Sequence, residues 1–137
     1  MKNEKPFDIE LFFAALSDNT RLRLLNLMRD AEVCVCFFTE VIGTNQPKIS
    51  RHLAYLRKAG IVAARRDGIW AHYRIVEPDN ARAARVLREI LEWLKENEDM
   101  QRDYLQMTKM CCAPAQKQPV SIQGAPLPKR IKEQEPV

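Results

Sequence analysis

Several things are scarce or missing in this chain, and each absence excludes something. No run of ~18 apolar residues occurs, so a membrane-spanning helix has no material and no membrane partner is expected. With only 4 glycines among 137 residues there is no glycine-rich cofactor loop. A Cys-x-x-Cys pair is also missing, and no base lies near the Cys34/Cys36 pair. A small thiol enzyme therefore lacks its parts, so no enzyme and no organic cofactor are expected. Aromatics make up 7%, too few for the stacking platforms of an RNA binder. Met1-Lys-Asn-Glu-Lys-Pro6 holds no apolar stretch of a signal peptide, so a cytoplasmic setting with reduced thiols is expected. In that setting four cysteines read as ligands or redox groups, not disulfide staples.

What remains is one domain's worth of chain, 15.9 kDa and 46% hydrophobic, with a net charge of +4. The charge is unevenly laid out. Residues 48–74 carry Lys48, Arg51, Arg57, Lys58, Arg65, Arg66 and Arg74 against Asp67 alone, while the segments on either side are net acidic. A basic block between acidic neighbours predicts a local face for a polyanion.

The apolar spacing predicts a helix around Phe7–Leu16 with Leu11, Phe12, Ala15 and Leu16 inward, and a second over about residues 18–30 with Leu22, Leu25 and Met28 inward. Ser17, Asp18 and Asn19 break the first and supply cap oxygens for the second. From Glu32 the chain alternates as a strand, turns helical around Cys36 and stops at Gly43. Asn45 and Pro47 open a fourth helix with Ile49, Leu53 and Leu56 inward, ending at Ala59–Gly60. Asp67-Gly68 between two alternating runs predicts a hairpin. Residues 79–107 read as one long helix with Leu87, Ile90, Leu91 and Leu94 on one face. At ~1.5 Å per residue it would reach about 43 Å, which implies a partner. Five of the eight prolines fall at 114–136, so residues 108–137 are expected to be a Cys-Cys-containing, disordered tail behind a domain of residues 1–107.

Helix, tight turn, helix and hairpin make a mainly α fold with a β-hairpin wing, the winged helix-turn-helix. Its fourth helix offers Gln46, Lys48, Ser50, Arg51 and His52 opposite the Ile49/Leu53/Leu56 stripe, side-chain types suited to base edges and phosphates. Arg65, Arg66, Trp70 and Arg74 place the hairpin beside the backbone of double-stranded DNA. His72, on an alternating strand, reads as a wing surface or packing residue.

Three separated segments now carry a resemblance: Ala15–Met28, Gln46–Ile61, and Arg65-Arg-Asp-Gly68 with Tyr73-Arg74. In this order they resemble the ArsR/SmtB family of metalloregulators, over about residues 8–105. The resemblance implies a homodimer joined through its first and last helices. It also implies a repressor that holds operator DNA, with Gln46, Lys48, Ser50, Arg51 and His52 facing the major groove, until a metal or metalloid binds. Ile69 stands where many relatives carry a basic residue after the wing glycine. No histidine follows His72, so the family's Asp/His zinc site on the last helix is missing, which argues against a zinc or nickel sensor.

Cys34-Val-Cys36 resembles the motif that opens the third helix in the family's arsenic, antimony, cadmium and lead sensors. Thiolates suit these soft elements, and the free N–H groups of a helix start lower a thiol's pKa. Inside a regular helix, residues i and i+2 point ~200° apart, so a shared ion predicts that this turn unwinds or re-aims. Thr39 occupies the position where such arsenic sensors place a third cysteine, and Cys111 or Cys112 is expected to supply the missing sulfur, from its own subunit or the partner. Three thiolates suit As(III) or Sb(III) as inducer; all four suit Cd(II), Pb(II) or Zn(II). Cys111/Cys112 binding apart from Cys34/Cys36, and a redox or persulfide sensor at Cys34/Cys36, are the alternatives the residues leave open.

Overall fold

The computed structural model describes residues 6–112, the last two by their backbone alone, and beyond them the strand Lys129–Arg130. The elements run α1 (Ile9–Leu16), α2 (Asn19–Leu27), β1 (Ala31–Cys34), α3 (Val35–Ile42), α4 (Gln46–Lys58), β2 (Val62–Asp67), β3 (Trp70–Ile75), α5 (Ala81–Leu94), α6 (Glu98–Cys112) and β4 (Lys129–Arg130). Helices outnumber strands, and the strands form one antiparallel sheet in the order β2-β3-β1-β4.

Local chemistry sets most boundaries. Asp8, Asp18, Asn45 and Asn80 each turn a side-chain oxygen onto the backbone N–H three residues on, closing the open first turns of α1, α2, α4 and α5. Such a cap contributes about 1 kcal/mol. Gly43 ends α3 at φ 78°, a left-handed conformation that costs a residue without Cβ nothing, and this tight turn lets α4 follow at once. Phe12, Leu24, Leu25, Phe38, Leu53 and Ile61 are all within 1% of full burial, so α1, α2, α3 and α4 close on one core.

In the hairpin, Asp67 pairs with Trp70, so the two-residue loop is Gly68–Ile69 and not Asp67-Gly68. Gly68 has φ 63° and Ile69 does not have positive φ, the signature of a II′-like turn with glycine at its first central position.

The single long helix expected over residues 79–107 is two helices. α5 ends at Leu94, and Asn97 restarts the chain by accepting the Met100 N–H at 3.0 Å. The physical reason is burial: once turned back, α6 puts Met100, Met107 and Met110 into the protomer's own interior. It is stapled to α2 by Arg23 on Asp103 (2.7 and 2.9 Å), by the Asn26 amide on the Met100 carbonyl (2.7 Å), and by Tyr104 on Asp30 (2.7 Å). The 43 Å rod that asked for a partner does not exist. α6 also runs through Cys112, past the expected domain boundary at 107. Of the tail expected to be disordered, residues 108–112 are helical, and beyond them only Lys129–Arg130 are among the described residues, pairing with Glu32 and Ala31 along the outer edge of β1.

Candidate DNA interface and thiol site

α4 carries the expected reading face. Ile49, Leu53 and Leu56 are fully buried, while Gln46, Lys48 and Arg51 are exposed and Ser50 is half-buried. His52 departs from expectation: it leans onto α2 and does not stand free. Its Nδ1 lies 3.1 Å from the Arg21 guanidinium and 3.9 Å from Asp18. Arginine can only donate, so Nδ1 accepts and the ring proton sits on Nε2. Burial, reinforced by the charges of Arg21, Lys48 and Arg51 and opposed by Asp18, lowers the His52 pKa and keeps the ring neutral.

Arg21 is the residue sequence reasoning missed. It donates to the carbonyls of Ala14 and Ala15 at the end of α1, contacts His52 and lies 4.2 Å over the Tyr55 ring. One guanidinium thereby ties α1, α2 and α4 together. Nothing in its local sequence signals this, because every partner comes from tertiary packing.

The wing's basic residues divide into two kinds. Arg66 is exposed. Arg65 grips the buried Glu32 of β1 through both Nε and Nη2, the shortest contact 2.7 Å, and Arg74 approaches the same carboxylate at 3.9 Å. The Arg65 hydrogen bond foremost, with the Arg65 and Arg74 charges beside it, holds the Glu32 pKa below its ordinary value against the cost of burial. Trp70 packs half-buried against the core. His72 is 3% exposed, so it is a packing residue, yet its Nε2 is buried without a hydrogen bond; Asp67 is the nearest acid, at 3.9 Å.

Cys34 and Cys36 sit at the junction of sheet and helix. Cys34 closes β1, opposite His72 of β3, and serves as the extended N-cap of α3 (φ −70°, ψ 142°). Cys36 is in the first turn of α3. Because Cys34 is not helical, the two side chains converge, and the Cys36 thiol donates to the Cys34 sulfur at 3.3 Å. The expected unwinding is therefore unnecessary; the pair is already together. That hydrogen bond, aided by backbone N–H groups of Cys36, Val35 and Ala71 and opposed by burial, lowers the Cys34 pKa to about 7. The same bond, with burial and the Cys34 charge, holds the Cys36 proton on and pushes its pKa up. Thr39 Oγ1 donates to the Cys36 carbonyl, so that hydroxyl is already engaged. Among the described residues no three His, Cys, Asp or Glu side chains are grouped to hold a metal ion, and the side chains of Cys111 and Cys112 lie outside the described residues.

A helix-turn-helix with an exposed basic second helix and a two-stranded wing defines a DNA-binding regulator of the winged-helix class. The model of the bacterial regulatory protein arsR family matches residues 18–64. The arsenical resistance operon repressor of Escherichia coli is 37% identical over 102 residues, covering 74% of this chain and 86% of the repressor. The chain belongs to the arsR family, whose members are transcriptional regulators and not enzymes. The arsenic resistance transcriptional regulator ArsR1 of Pseudomonas putida is 50% identical over 66 residues, or 47% of this chain and 52% of that protein's length. Among solved structures, HlyU from Vibrio cholerae superposes with a TM-score of 0.51 at 23% identity, covering 59% of this chain and 88% of HlyU, a likeness of fold. Among the described residues no helix is long and apolar enough to cross a membrane.

Proposed function

We propose that the protein is a homodimeric repressor that leaves its operator when trivalent arsenic, or antimony, is captured by Cys34, Cys36 and a sulfur of Cys111 or Cys112. The observation that carries this reading is the 3.3 Å sulfur pair at the strand–helix junction. If each sulfur bonds one centre at ~2.3 Å, the length of a metal–thiolate bond, that separation subtends an angle of roughly 90°. A three-coordinate pyramidal centre accepts such an angle better than a tetrahedral cation does, which favours As(III) and Sb(III) over Cd(II), Pb(II) and Zn(II). A third donor must come from beyond the described side chains. The last turn of α6 holds Cys111 and Cys112, and α6 packs on α3, the helix that carries Cys36.

Coupling to DNA has two short routes. α3 packs on α4, which presents Gln46, Lys48, Ser50 and Arg51 to the major groove. β1 pairs with β3 of the wing, where Arg65 and Arg74 are held to Glu32 while Arg66 remains free to touch phosphate beside Trp70. A third sulfur drawn toward Cys34 and Cys36 displaces both. Moving occupancy from 99:1 to 1:99 requires ~5.5 kcal/mol of preference for the released state.

The dimer reading rests on exposed apolar side chains. Ile9 and Phe13 on α1 are 62% and 52% exposed beside an apolar groove of about 220 Å³ between α1 and the first turns of α5. Trp93, farther along α5, is 72% exposed beside a separate groove lined by Leu16, Leu22 and Ile90. α5, not α6, is then the helix that joins α1 at the interface. Phe13→Glu/Trp93→Glu is expected to sediment as a monomer; an intact dimer sinks this interface.

The functional test is operator binding titrated with arsenite. Cys34→Ser/Cys36→Ser is expected to stay bound at concentrations that release the natural sequence. Release at an unchanged concentration would remove the pair as sensor. Wild-type behaviour of Cys111→Ser/Cys112→Ser would remove the C-terminal donor.

A further inference from the structure

The geometry that suits a metalloid also suits a different reaction. Cys34 is fully buried, whereas Cys36, directly hydrogen-bonded to it, is half-buried at the start of α3. A water-sized oxidant therefore meets Cys36 first, with a second sulfur 3.3 Å behind it. A disulfide needs ~2.05 Å between sulfurs, so bond formation asks for an approach of little more than an ångström. Both residues sit at an element boundary, where side-chain rotation breaks no helix hydrogen bond of the interior. Cys34 and Cys36 are free thiols in this structure.

We propose that Cys34 and Cys36 form a reversible disulfide with hydrogen peroxide as oxidant, and that this modification removes the two sulfurs an inducer needs. The hydrogen-bond proton that Cys36 holds at rest passes to the Cys34 sulfur 3.3 Å away, and the more accessible Cys36 reacts from this minor thiolate form. Its sulfur attacks one peroxide oxygen, an S–O bond forms, the O–O bond breaks, and the departing hydroxide takes the Cys34 proton as water. Cys36 is now a sulfenic acid, its sulfur oxidised by two electrons and the peroxide reduced. The Cys34 thiolate attacks the Cys36 sulfur, the S–O bond breaks, and hydroxide leaves as the S–S bond forms. One thiol, one thiolate and one peroxide give one disulfide, one water and one hydroxide. A dithiol reductant reverses it by thiol–disulfide exchange.

Disulfide formation stands on the sulfur geometry alone; its consequence for induction rests on the metalloid reading above. The experiment separates them. The full chain carrying Cys111→Ser/Cys112→Ser, which leaves Cys34 and Cys36 as the only thiols, is treated with hydrogen peroxide without metal and followed by peptide mass over residues 30–48 and thiol titration. The expected result is a loss of two hydrogens per chain, a fall from two titratable thiols to none, and full recovery with dithiothreitol. With Cys34 also replaced by serine, Cys36 is expected to gain oxygen instead. Oxygen adducts or intermolecular disulfides in place of the two-hydrogen loss, or thiols that survive peroxide that oxidises the same chain in urea, would overturn the proposal. Phenylarsine oxide, which binds two thiols, is then offered to both forms. The reduced chain is expected to take one equivalent and the oxidised chain none; equal uptake by both overturns the link between oxidation and induction. No uptake by the reduced chain, with disulfide formation intact, counts against the metalloid site and leaves the oxidation site standing.

Discussion

Helix α4 and the sheet behind it hold the same kinds of side chain in opposite circumstances. On α4, Gln46, Lys48 and Arg51 stand in solvent above a fully buried Ile49/Leu53/Leu56 stripe. In the sheet, Glu32, Cys34 and His72 are within 8% of full burial, and Arg65 is spent on Glu32. Polar groups that are free in the monomer cost nothing to hand over to DNA; polar groups that grip one another cannot move singly. The difference separates a surface that binds from an element that transmits. It also explains why the thiols belong to the second. On the proposed function, a ligand on Cys34 would act on β1, which pairs with β3 of the wing and holds Arg65 through Glu32.

The comparison breaks most visibly if α4's charges prove structural. Lys48→Ala/Arg51→Ala would remove two DNA contacts from each chain of the proposed dimer, at ~1 kcal/mol or more apiece. Operator affinity is expected to fall by about three orders of magnitude, and the salt dependence to flatten. Thermal unfolding is expected to stay within about 0.5 kcal/mol of the natural sequence, as for exposed substitutions generally. A large loss of stability would mean that these side chains hold the fold.

Much of α4 is legible in the sequence, because its determinants are local: the Asn45 cap, Pro47 in the first turn, the three-residue apolar stripe, and the glycine on either side. The sheet's chemistry is not. That Cys34 and Cys36 touch depends on Cys34 staying extended as the N-cap while Cys36 is already in the first helical turn, a junction geometry that residue spacing does not show. The break between α5 and α6 lacks glycine or proline, and Lys95-Glu96-Asn97-Glu98 is good helix material except for Asn97. A cap asparagine followed by Glu98 and Asp99 was the available signal for a restart. The Arg21–His52, Arg65–Glu32 and Arg23–Asp103 contacts join residues 31, 33 and 80 positions apart, beyond any periodicity.

A second prediction acts on the sheet. Glu32→Gln keeps the shape but removes the charge that holds Arg65 and Arg74. Hydrogen bonds to charged groups contribute ~1.5–3 kcal/mol, and the Arg65 side chain is 40% exposed, so solvent screening reduces this. A cost of about 1–2 kcal/mol in urea unfolding is expected, with operator affinity changed less than tenfold. If affinity falls as far as in the α4 variant while stability is unchanged, the sheet is a binding surface after all.

The same pair predicts a pH effect with a definite sign. Arg65 holds the folded Glu32 carboxyl below its ordinary 4.5. A depressed carboxylate pKa contributes stability that is present above 4.5 and is lost as pH falls through the folded value. The stability gap between the natural sequence and Glu32→Gln should therefore be full at pH 6 and shrink steadily below pH 4.5. A gap equally wide at pH 3, read by urea midpoints at each pH, would show that charge has no part in it.

The smallest effect falls on His72, where the sheet departs from its own rule. Its Nε2 is buried without a hydrogen bond among the described residues, opposite Cys34. Leaving such a group unsatisfied costs ~1–3 kcal/mol, while an apolar replacement of similar size escapes that cost and loses only imperfect packing. His72→Leu is expected to leave stability unchanged or to raise it by up to ~1 kcal/mol. The arsenite concentration that releases the operator should stay within a few fold, because the ring supplies no ligand. A loss of more than ~1 kcal/mol would show that Nε2 has a hydrogen-bond partner in solution. A shifted arsenite response at unchanged stability would place the imidazole in the sensor itself. Either result would move His72 from the packing of the wing to its chemistry.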